Sequence, residues 1–285
     1  MYTTLIEPQG LAEHCADQDW VIVDCRFDLG RPDWGASAYA DGHVPQAVYA
    51  HLDRDLSGPV TPSSGRHPLP AKESLIATLS RWGIDASVQV VAYDQSNGAY
   101  AARLWWLLRW AGHDCVAVLN GGFAAWQQAG LPVSTQPGVR EPRRFVPSWR
   151  DTGIVTTADV AALVAAGELA SGDTLLIDAR SADRFAGQNE TLDPVAGHIP
   201  GAQNQPFAHN LDSQARFLPA VTLREQWRAR LGGNSPAQVI STCGSGVTAC
   251  HNLLALEVAG LPGAKLYAGS WSEWIRDAAR PRSIG

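Results

Sequence analysis

Residues 238–249 read Gln238-Val239-Ile240-Ser241-Thr242-Cys243-Gly244-Ser245-Gly246-Val247-Thr248-Ala249. The uncharged, β-rich run before Cys243 is typical of a buried strand in a parallel sheet. The Ala- and Leu-rich run from Thr248 to about Val258 predicts a helix that ends at Gly260. The order strand, short loop and helix is one unit of an alternating α/β chain, and the rest of the sequence repeats this order.

The loop between this strand and helix holds one cysteine and two glycines. Glycines let the backbone turn tightly and bring its N–H groups near the sulfur of Cys243. Converging amides followed by a helix N-terminus form an anion site, so Cys243 is expected to be a thiolate at neutral pH without a neighbouring base. The same loop would stabilise a persulfide. The alternative is an unreactive buried cysteine at a strand end, which is common, but the Gly-rich context favours a reactive thiolate.

Composition excludes several classes of protein. The chain has 285 residues, 45% of them hydrophobic, which suits one large or two medium domains. A net charge of −6 without a long basic run argues against nucleic acid as a partner. No apolar stretch approaches the ~18 residues of a membrane span, and the first residues do not resemble a signal peptide. Five cysteines without paired or zinc-like spacing predict reduced thiols, no metal site and a cytoplasmic protein, at positions Cys15, Cys25, Cys115, Cys243 and Cys250.

The chain contains an internal repeat. Four short motifs recur in the same order at a nearly constant offset of about 150 residues, namely Asp24 with Asp178, His43 with His198, Asp94 with Cys243, and Gly121 with Gly269. Collinear matches of this kind indicate a tandem duplication of one unit.

Strands and helical stretches alternate within each repeat, and Ala101 to Trp110 and Leu223 to Leu231 are the clearest helices. Alternation predicts an α/β fold with two tandem domains, each a mostly parallel sheet flanked by helices. We assign residues 1–132 to the first domain, the Pro- and Arg-rich residues 133–151 to a linker, and residues 152–285 to the second domain.

The repeat also predicts which domain is catalytic. Asp94 stands where the second repeat has Cys243, and a carboxylate cannot replace the thiolate nucleophile, so the first domain is expected to be catalytically silent. Asp178 and His198 have counterparts in the silent repeat and are therefore more economically explained as structural residues.

The run Cys-Gly-Ser-Gly-Val-Thr-Ala after a strand resembles the active-site loop of the rhodanese family, in its 3-mercaptopyruvate sulfurtransferase branch; the thiosulfate-specific branch carries Cys-Arg-Lys-Gly-Val-Thr. The resemblance covers essentially the whole chain. It implies transfer of a sulfane sulfur from a small anionic donor, 3-mercaptopyruvate, through a Cys243 persulfide to cyanide or a thiol such as thioredoxin, without a cofactor. The donor would meet the backbone N–H groups of Gly244, Gly246, Val247 and Thr248.

The resemblance also implies a Ser-His-Asp relay that protonates the departing pyruvate enolate. Ser245 is the serine, and the runs Tyr49-Ala50-His51-Leu52-Asp53 and Gly65-Arg66-His67-Pro68 resemble the segments that carry the other two residues, so His67 and Asp53 are the matching positions. From chemistry alone Ser245 could equally be a small turn residue, and His67 could be a surface histidine. His51 is a nearby competitor for the histidine.

The resemblance assigns the donor's anionic group to Arg184, because the planar guanidinium fork can bond two oxygens. Arg180 is expected to pair with structural carboxylates at the strand end. The animal enzymes of this branch carry a second arginine about nine residues after the first, and here Asp193 stands in its place. A carboxylate there would repel the donor's carboxylate, so thiosulfate remains an alternative donor.

Three other functions are less consistent with the residues. A phosphatase related to this fold has a longer loop and a helix-opening arginine, and no arginine follows Cys243 before Arg276. A non-enzymatic persulfide carrier would use Cys243 without turning over a small donor. A Cys-His hydrolase would need a paired base, which a loop that stabilises a thiolate makes unnecessary.

Overall fold

Ten strands form two parallel sheets of five in the computed structural model, which describes residues 1–285. The first sheet contains β1 (Leu5–Ile6), β2 (Trp20–Asp24), β3 (Val48–Tyr49), β4 (Gln89–Tyr93) and β5 (Val116–Leu119) in the order β1-β5-β4-β2-β3. The second contains β6 (Ile154–Val155), β7 (Leu175–Asp178), β8 (Gln203–Asn204), β9 (Val239–Thr242) and β10 (Lys265–Tyr267) in the order β6-β10-β9-β7-β8. Both sheets therefore have the same topology, as the repeat predicted.

Twelve α-helices and three short 3₁₀ helices connect and flank these strands. Those of the first half are α1 (Pro8–Ala12), α2 (Trp34–Asp41), α3 (Leu52–Asp55), α4 (Lys72–Arg81), α5 (Ala101–Trp110) and α6 (Gly122–Gln128). Those of the second half are α7 (Thr157–Ala166), α8 (Glu168–Ser171), α9 (Ala182–Phe185), α10 (Ala220–Leu231), α11 (Thr248–Val258) and α12 (Ser270–Trp274). The 3₁₀ helices are Asp151–Gly153, Phe207–Asn210 and Pro236–Gln238.

Each sheet has its own apolar core. Strands β4 and β9 occupy the centre of their sheets and are buried at every position, which explains why neither contains a charged residue. Large aromatic side chains complete both cores, with Phe123 and Trp126 in the first and Trp271 and Trp274 in the second. Predicted helices 101–110 and 248–258 are confirmed at those bounds.

The repeated polar residues are structural in both halves. Arg180 donates from Nε to both carboxylate oxygens of Asp178 and from Nη2 to the Gly197 carbonyl. Arg26 makes the same set of side-chain bonds to Asp24 and the Gly42 carbonyl. In addition, the backbone N–H of each arginine donates to Oδ1 of its aspartate. Because both halves keep this set of bonds, although only the second carries Cys243, its purpose is to hold the end of a strand. The expectation that Arg180 pairs with a strand-end carboxylate is confirmed.

The chain groups into two compact units that do not follow the repeat boundaries. The first unit comprises residues 1–58, 69–150 and 213–217, and the second comprises residues 59–68, 151–212 and 218–285. Residues 59–68, which carry Arg66 and His67, therefore belong to the second unit although they lie in the first half of the chain.

None of the helices has the length and apolar character needed to cross a membrane. All five cysteines are free.

Candidate active site

Cys243 is the first residue after β9, the central strand of the second sheet. In parallel α/β sheets ligands bind at the carboxyl ends of such strands. The side chain is almost buried, with 2% of the residue exposed, and its Sγ accepts a hydrogen bond of 3.1 Å from the Gly246 N–H. Helix α11 begins directly after the loop, at Thr248. The strand, the loop and the helix therefore lie as the sequence predicts.

The start of α12 holds the Cys243 loop from the other side. The N–H groups of Trp271 and Ser272 donate to the carbonyls of Cys243 and Gly244 at 3.0 and 2.9 Å. The Cys243 N–H in turn donates to Ser270 Oγ at 3.1 Å. Ser270 has a left-handed φ of 54°, where the first unit has Gly122 at 58°. A serine is strained in this conformation, but its hydroxyl supplies the bond that a glycine lacks.

Gly246 is required by the geometry of the loop. Its φ is 78°, and a Cβ at this position would lie 2.4 Å from the Ala268 carbonyl oxygen. Only glycine satisfies both the left-handed backbone and the close approach. The loop can therefore turn its N–H at Gly246 toward the Cys243 sulfur.

The equivalent loop of the first unit binds a carboxylate. Asp94, fully buried, accepts hydrogen bonds from four backbone N–H groups at 2.9 to 3.3 Å, those of Ser96, Gly98, Tyr100 and Ala101. Burial raises the pKa of Asp94, and these donors act against that rise. The first unit therefore fills its anion cradle with its own carboxylate at the position where the second unit has a thiol.

Ser245 and His67 lie next to each other in the second unit. His67 Nδ1 is 2.7 Å from Ser245 Oγ, and both residues are buried, 5% and 6% exposed. The structure thus brings together two of the residues singled out from the sequence, 178 positions apart in the chain.

His51 and Asp53, the other two candidates for the relay, lie in the first unit. His51 caps the start of α3, where its Nδ1 accepts the N–H of Asp53. That bond gives His51 a structural task. Asp53 is an exposed residue in the first turn of α3, and its role in a relay stays a prediction.

Residues 59–68 are hydrogen-bonded to α12 and to the segment after it. The Arg66 N–H donates to Ser272 Oγ at 3.0 Å, and Arg276 Nε donates to the Ser64 carbonyl at 2.9 Å. The same serine that supports the Cys243 loop therefore also anchors the segment that carries His67.

Two arginines reach over the residue that follows Cys243. A Cβ built on Gly244 would lie 3.0 Å from Arg66 Nη2 and 3.6 Å from Arg184 Nη2. Arg184 was predicted as the donor-binding arginine, on α9, which follows strand β7 beside β9. Arg66 was missed by the sequence analysis, and the only signal was its position next to His67. A second cation thus stands at the site despite the aspartate at position 193.

Two buried carboxylates neutralise part of this charge. Glu190, with 3% of its side chain exposed, accepts from Arg184 Nε and Nη2 at 2.9 to 3.2 Å and lies 3.6 Å from Arg180 Nη1. Burial acts against ionisation of Glu190, but the bonds from Arg184 keep its pKa below the ordinary value. Asp193 contacts Arg66 and Arg184, and burial raises its pKa although both arginines oppose the rise.

Known proteins define the class to which this fold and site belong. The model of the rhodanese-like domain matches residues 7–129 and 158–277. The chain therefore belongs to the rhodanese family, as a tandem pair of rhodanese-like domains. It is a sulfurtransferase.

Individual relatives are similar over nearly the whole length. A Pseudomonas aeruginosa protein named as a 3-mercaptopyruvate sulfurtransferase is 46% identical over 283 residues, which cover 99% of this chain and 98% of that protein. A Mycobacterium tuberculosis protein named as a thiosulfate sulfurtransferase, SseB, is 40% identical over 270 residues, 93% of this chain and 90% of that one. The structure of the Leishmania major 3-mercaptopyruvate sulfurtransferase superimposes with a TM-score of 0.82 at 32% identity, covering 95% of this chain and 74% of that chain.

Proposed function

We propose that this sulfurtransferase takes sulfur from 3-mercaptopyruvate and passes it to cyanide or to a thiol such as that of thioredoxin, through a persulfide on Cys243. The observation that carries the proposal is the set of groups around one sulfur. The Gly246 N–H donates to the thiol, Ser245 of the same loop is paired with His67, and two guanidinium groups stand over Gly244. The free state of all five cysteines supports a cytoplasmic location.

The first half-reaction is a displacement at sulfur. The Cys243 thiolate attacks the donor sulfur, a sulfur–sulfur bond forms, and the carbon–sulfur bond breaks with its electron pair going to carbon. The product is the enolate of pyruvate, which takes up a proton. The acceptor then attacks the outer sulfur of the persulfide, and Cys243 is released as a thiolate.

The backbone cradle stabilises the negative charge on sulfur. Asp94 shows that the equivalent loop of the first unit satisfies a carboxylate with four N–H groups. In the catalytic loop the Gly246 N–H already donates to Cys243 Sγ. We assign the N–H groups of Gly244, Gly246, Val247 and Thr248 to the outer sulfur or the donor, because such nests favour anions.

The Ser245–His67 pair supplies the proton for the enolate. Ser245 Oγ can donate to the departing group while it accepts from the His67 ring at 2.7 Å. Asp53 completes the relay in this proposal, supported by the resemblance described above. The donor's carboxylate is bound by Arg184 and Arg66, whose side chains are 18% and 26% exposed and therefore only partly hydrated.

Thiosulfate is the second candidate donor. The observation in its favour is the 40% identity to the Mycobacterium tuberculosis protein named as a thiosulfate sulfurtransferase. Thiosulfate would transfer its outer sulfur to Cys243 in the same way. Its leaving group, sulfite, departs with the electron pair and needs no proton. A carrier without turnover of a small donor is the remaining alternative.

The experiment that tests the proposal compares kcat/KM for 3-mercaptopyruvate and for thiosulfate, with cyanide as acceptor. We expect a preference of at least about tenfold for 3-mercaptopyruvate, because only this donor uses the proton from the Ser245–His67 pair. A preference for thiosulfate would reject the proposed donor and keep the sulfurtransferase. No turnover of either, together with a persulfide loaded by another protein, would support the carrier.

Replacing Arg66 by Gln should raise KM for 3-mercaptopyruvate by about tenfold and change kcat less, because a charge-assisted bond to the donor is lost in ground state and transition state alike. Steady-state kinetics measure this. Arg276→Gln is the matched control, because Arg276 bonds the same segment only through the Ser64 carbonyl. An unchanged KM in Arg66→Gln would exclude Arg66 from donor binding.

A further inference from the structure

Asp193 is a buried carboxylate in direct contact with both arginines of the donor site. Only 2% of its side chain is exposed. Its Oδ1 accepts from Arg66 Nη1, and its Oδ2 lies 3.3 Å from Arg184 Nη2. One carboxylate therefore spans the two guanidinium groups that stand over Gly244. This is the arrangement that a donor's carboxylate would adopt.

Backbone hydrogen bonds within residues 190–193 fix the position of Asp193. Its N–H and that of Leu192 donate to Glu190 Oε1 at 3.1 and 3.0 Å, so the turn 190–193 closes on the Glu190 carboxylate. Glu190 is the main partner of Arg184, with three hydrogen bonds against one from Asp193. When Asp193 is neutralised, Arg184 thus keeps its bonds to Glu190. Arg66, in contrast, loses its contact with a charged carboxylate.

We propose that Asp193 is an internal competitor for the anionic donor and a specificity-determining residue of this site. It occupies the arginine groups that the donor's acid group must bind, so a donor binds only when Asp193 gives up these contacts. The inference rests on the proposed function only for the identity of the donor. It applies to any small anion that approaches Cys243.

Asp193 could compete with the donor for the arginines, or it could hold Arg66 in place for the donor. The two roles predict opposite changes in anion binding when a neutral side chain replaces Asp193. If Asp193 competes, removing its charge frees Arg66 and strengthens the attraction of an anion. If Asp193 served instead to hold Arg66 over the loop, removing its charge would release Arg66 and weaken that attraction. The geometry favours competition because the Arg66 backbone is held independently, by the Ser272 hydroxyl.

The test uses two alkylating reagents, the anionic iodoacetate and the neutral iodoacetamide, and needs no sulfur transfer. In both reactions a bond forms between sulfur and carbon and iodide leaves. The ratio of the two rates at Cys243 cancels the fraction of thiolate and reports how strongly the site attracts an anion. Mass spectrometry of the Cys243 peptide gives both rates. The same ratio at Cys115, a half-buried thiol of the first unit, is an internal reference.

In Asp193→Asn the iodoacetate-to-iodoacetamide ratio at Cys243 should rise about three- to tenfold, because a negative charge has been removed from a poorly solvated site. The ratio at Cys115 should stay the same. Asp277→Asn changes the net charge equally at an exposed residue that pairs with Arg280, and it should leave both ratios unchanged. An unchanged or lower ratio in Asp193→Asn would overturn the proposal. Asp193→Ser is the second neutral variant, should the asparagine protein not fold.

The pH dependence gives an independent check. Because the pKa of Asp193 is raised, it takes up a proton at higher pH than an ordinary carboxyl, and the wild-type ratio should then approach that of Asp193→Asn. Glu190, Arg180, Arg184 and Arg66 act on position 193, and the His67 ring lies on Ser245; these groups are present in both proteins, so their own titration enters both ratios. A difference that widens as the pH falls would contradict the proposal.

If the protein turns over 3-mercaptopyruvate, Asp193→Asn should also lower its KM. If 3-mercaptopyruvate is not the donor, this change in KM cannot be measured, but the alkylation ratio at Cys243 should still rise in Asp193→Asn. If Asp193 does not compete with anions, the alkylation ratio should stay unchanged or fall, whichever donor the protein uses.

Discussion

Cys243→Ser should lose sulfur transfer by at least about 10³-fold, to the rate without enzyme. A hydroxyl in the loop is not ionised at neutral pH, and an oxygen cannot carry the sulfane sulfur between donor and acceptor. The backbone cradle survives in this variant, because serine is smaller than cysteine and the Gly246 N–H can donate to its oxygen. Folding is therefore expected to be retained.

Two measurements check this result. Steady-state transfer to cyanide gives the loss of rate, and the mass of the protein after incubation with donor alone shows whether one sulfur atom has been added. Cys250→Ser is the matched control, because its buried thiol donates to the Gly246 carbonyl and a hydroxyl can do the same. Cys25 is a second control, since burial and Asp24 raise the pKa of its thiol and keep it unreactive. Sulfur transfer that persists without Cys243 would reject the mechanism.

Ser245→Ala and His67→Asn should each lower kcat for 3-mercaptopyruvate by about 10²-fold and leave thiosulfate turnover within about threefold. The enolate of pyruvate needs a proton as it leaves, whereas sulfite leaves without one. We propose from the 2.7 Å contact between His67 Nδ1 and Ser245 Oγ that the two residues act as one proton-donating unit. The double variant should therefore lose little more than either single variant, since residues that act as a unit are not additive.

His51→Asn is the matched control for the histidine. His51 was a competitor for this role in the sequence, but its Nδ1 caps α3 in the structure. Its replacement should affect stability more than the ratio of the two donor activities. Equal losses with both donors in Ser245→Ala and His67→Asn would show that the pair supports the loop rather than protonating the leaving group.

The fold could be predicted from the sequence because the patterns that indicate its strands and helices are local and occur in both halves of the chain. Uncharged β-rich runs ending at Asp24 and Asp178 became strands β2 and β7, and the Ala- and Leu-rich run after Cys243 became α11. Burial on both faces of a parallel strand excludes charge, and helix ends favour glycine, so these elements can be predicted without knowing their neighbours.

The candidate nucleophile was also a local inference. Cys243 follows a strand, precedes a helix and has two glycines among the three residues after it. In the structure its sulfur accepts the Gly246 N–H. The repeat identified Asp94 as the residue at the matching position of the first unit. That Asp94 fills the cradle with four hydrogen bonds could not be inferred from the sequence, because it depends on where the loop N–H groups point.

The charges around the sulfur were decided by tertiary structure alone. The family resemblance assigned Arg184 but gave no reason to place Arg66 beside Gly244, because residues 59–68 leave the unit formed by their own half of the chain. It also predicted that Asp193 would repel an anionic donor directly, whereas the structure places this carboxylate on the two arginines. The sequence by itself determined the strands, the loop and the thiol, since periodicity and backbone geometry act over a few residues. Which charges meet at that thiol depends on packing between residues more than a hundred positions apart, and no local pattern records it.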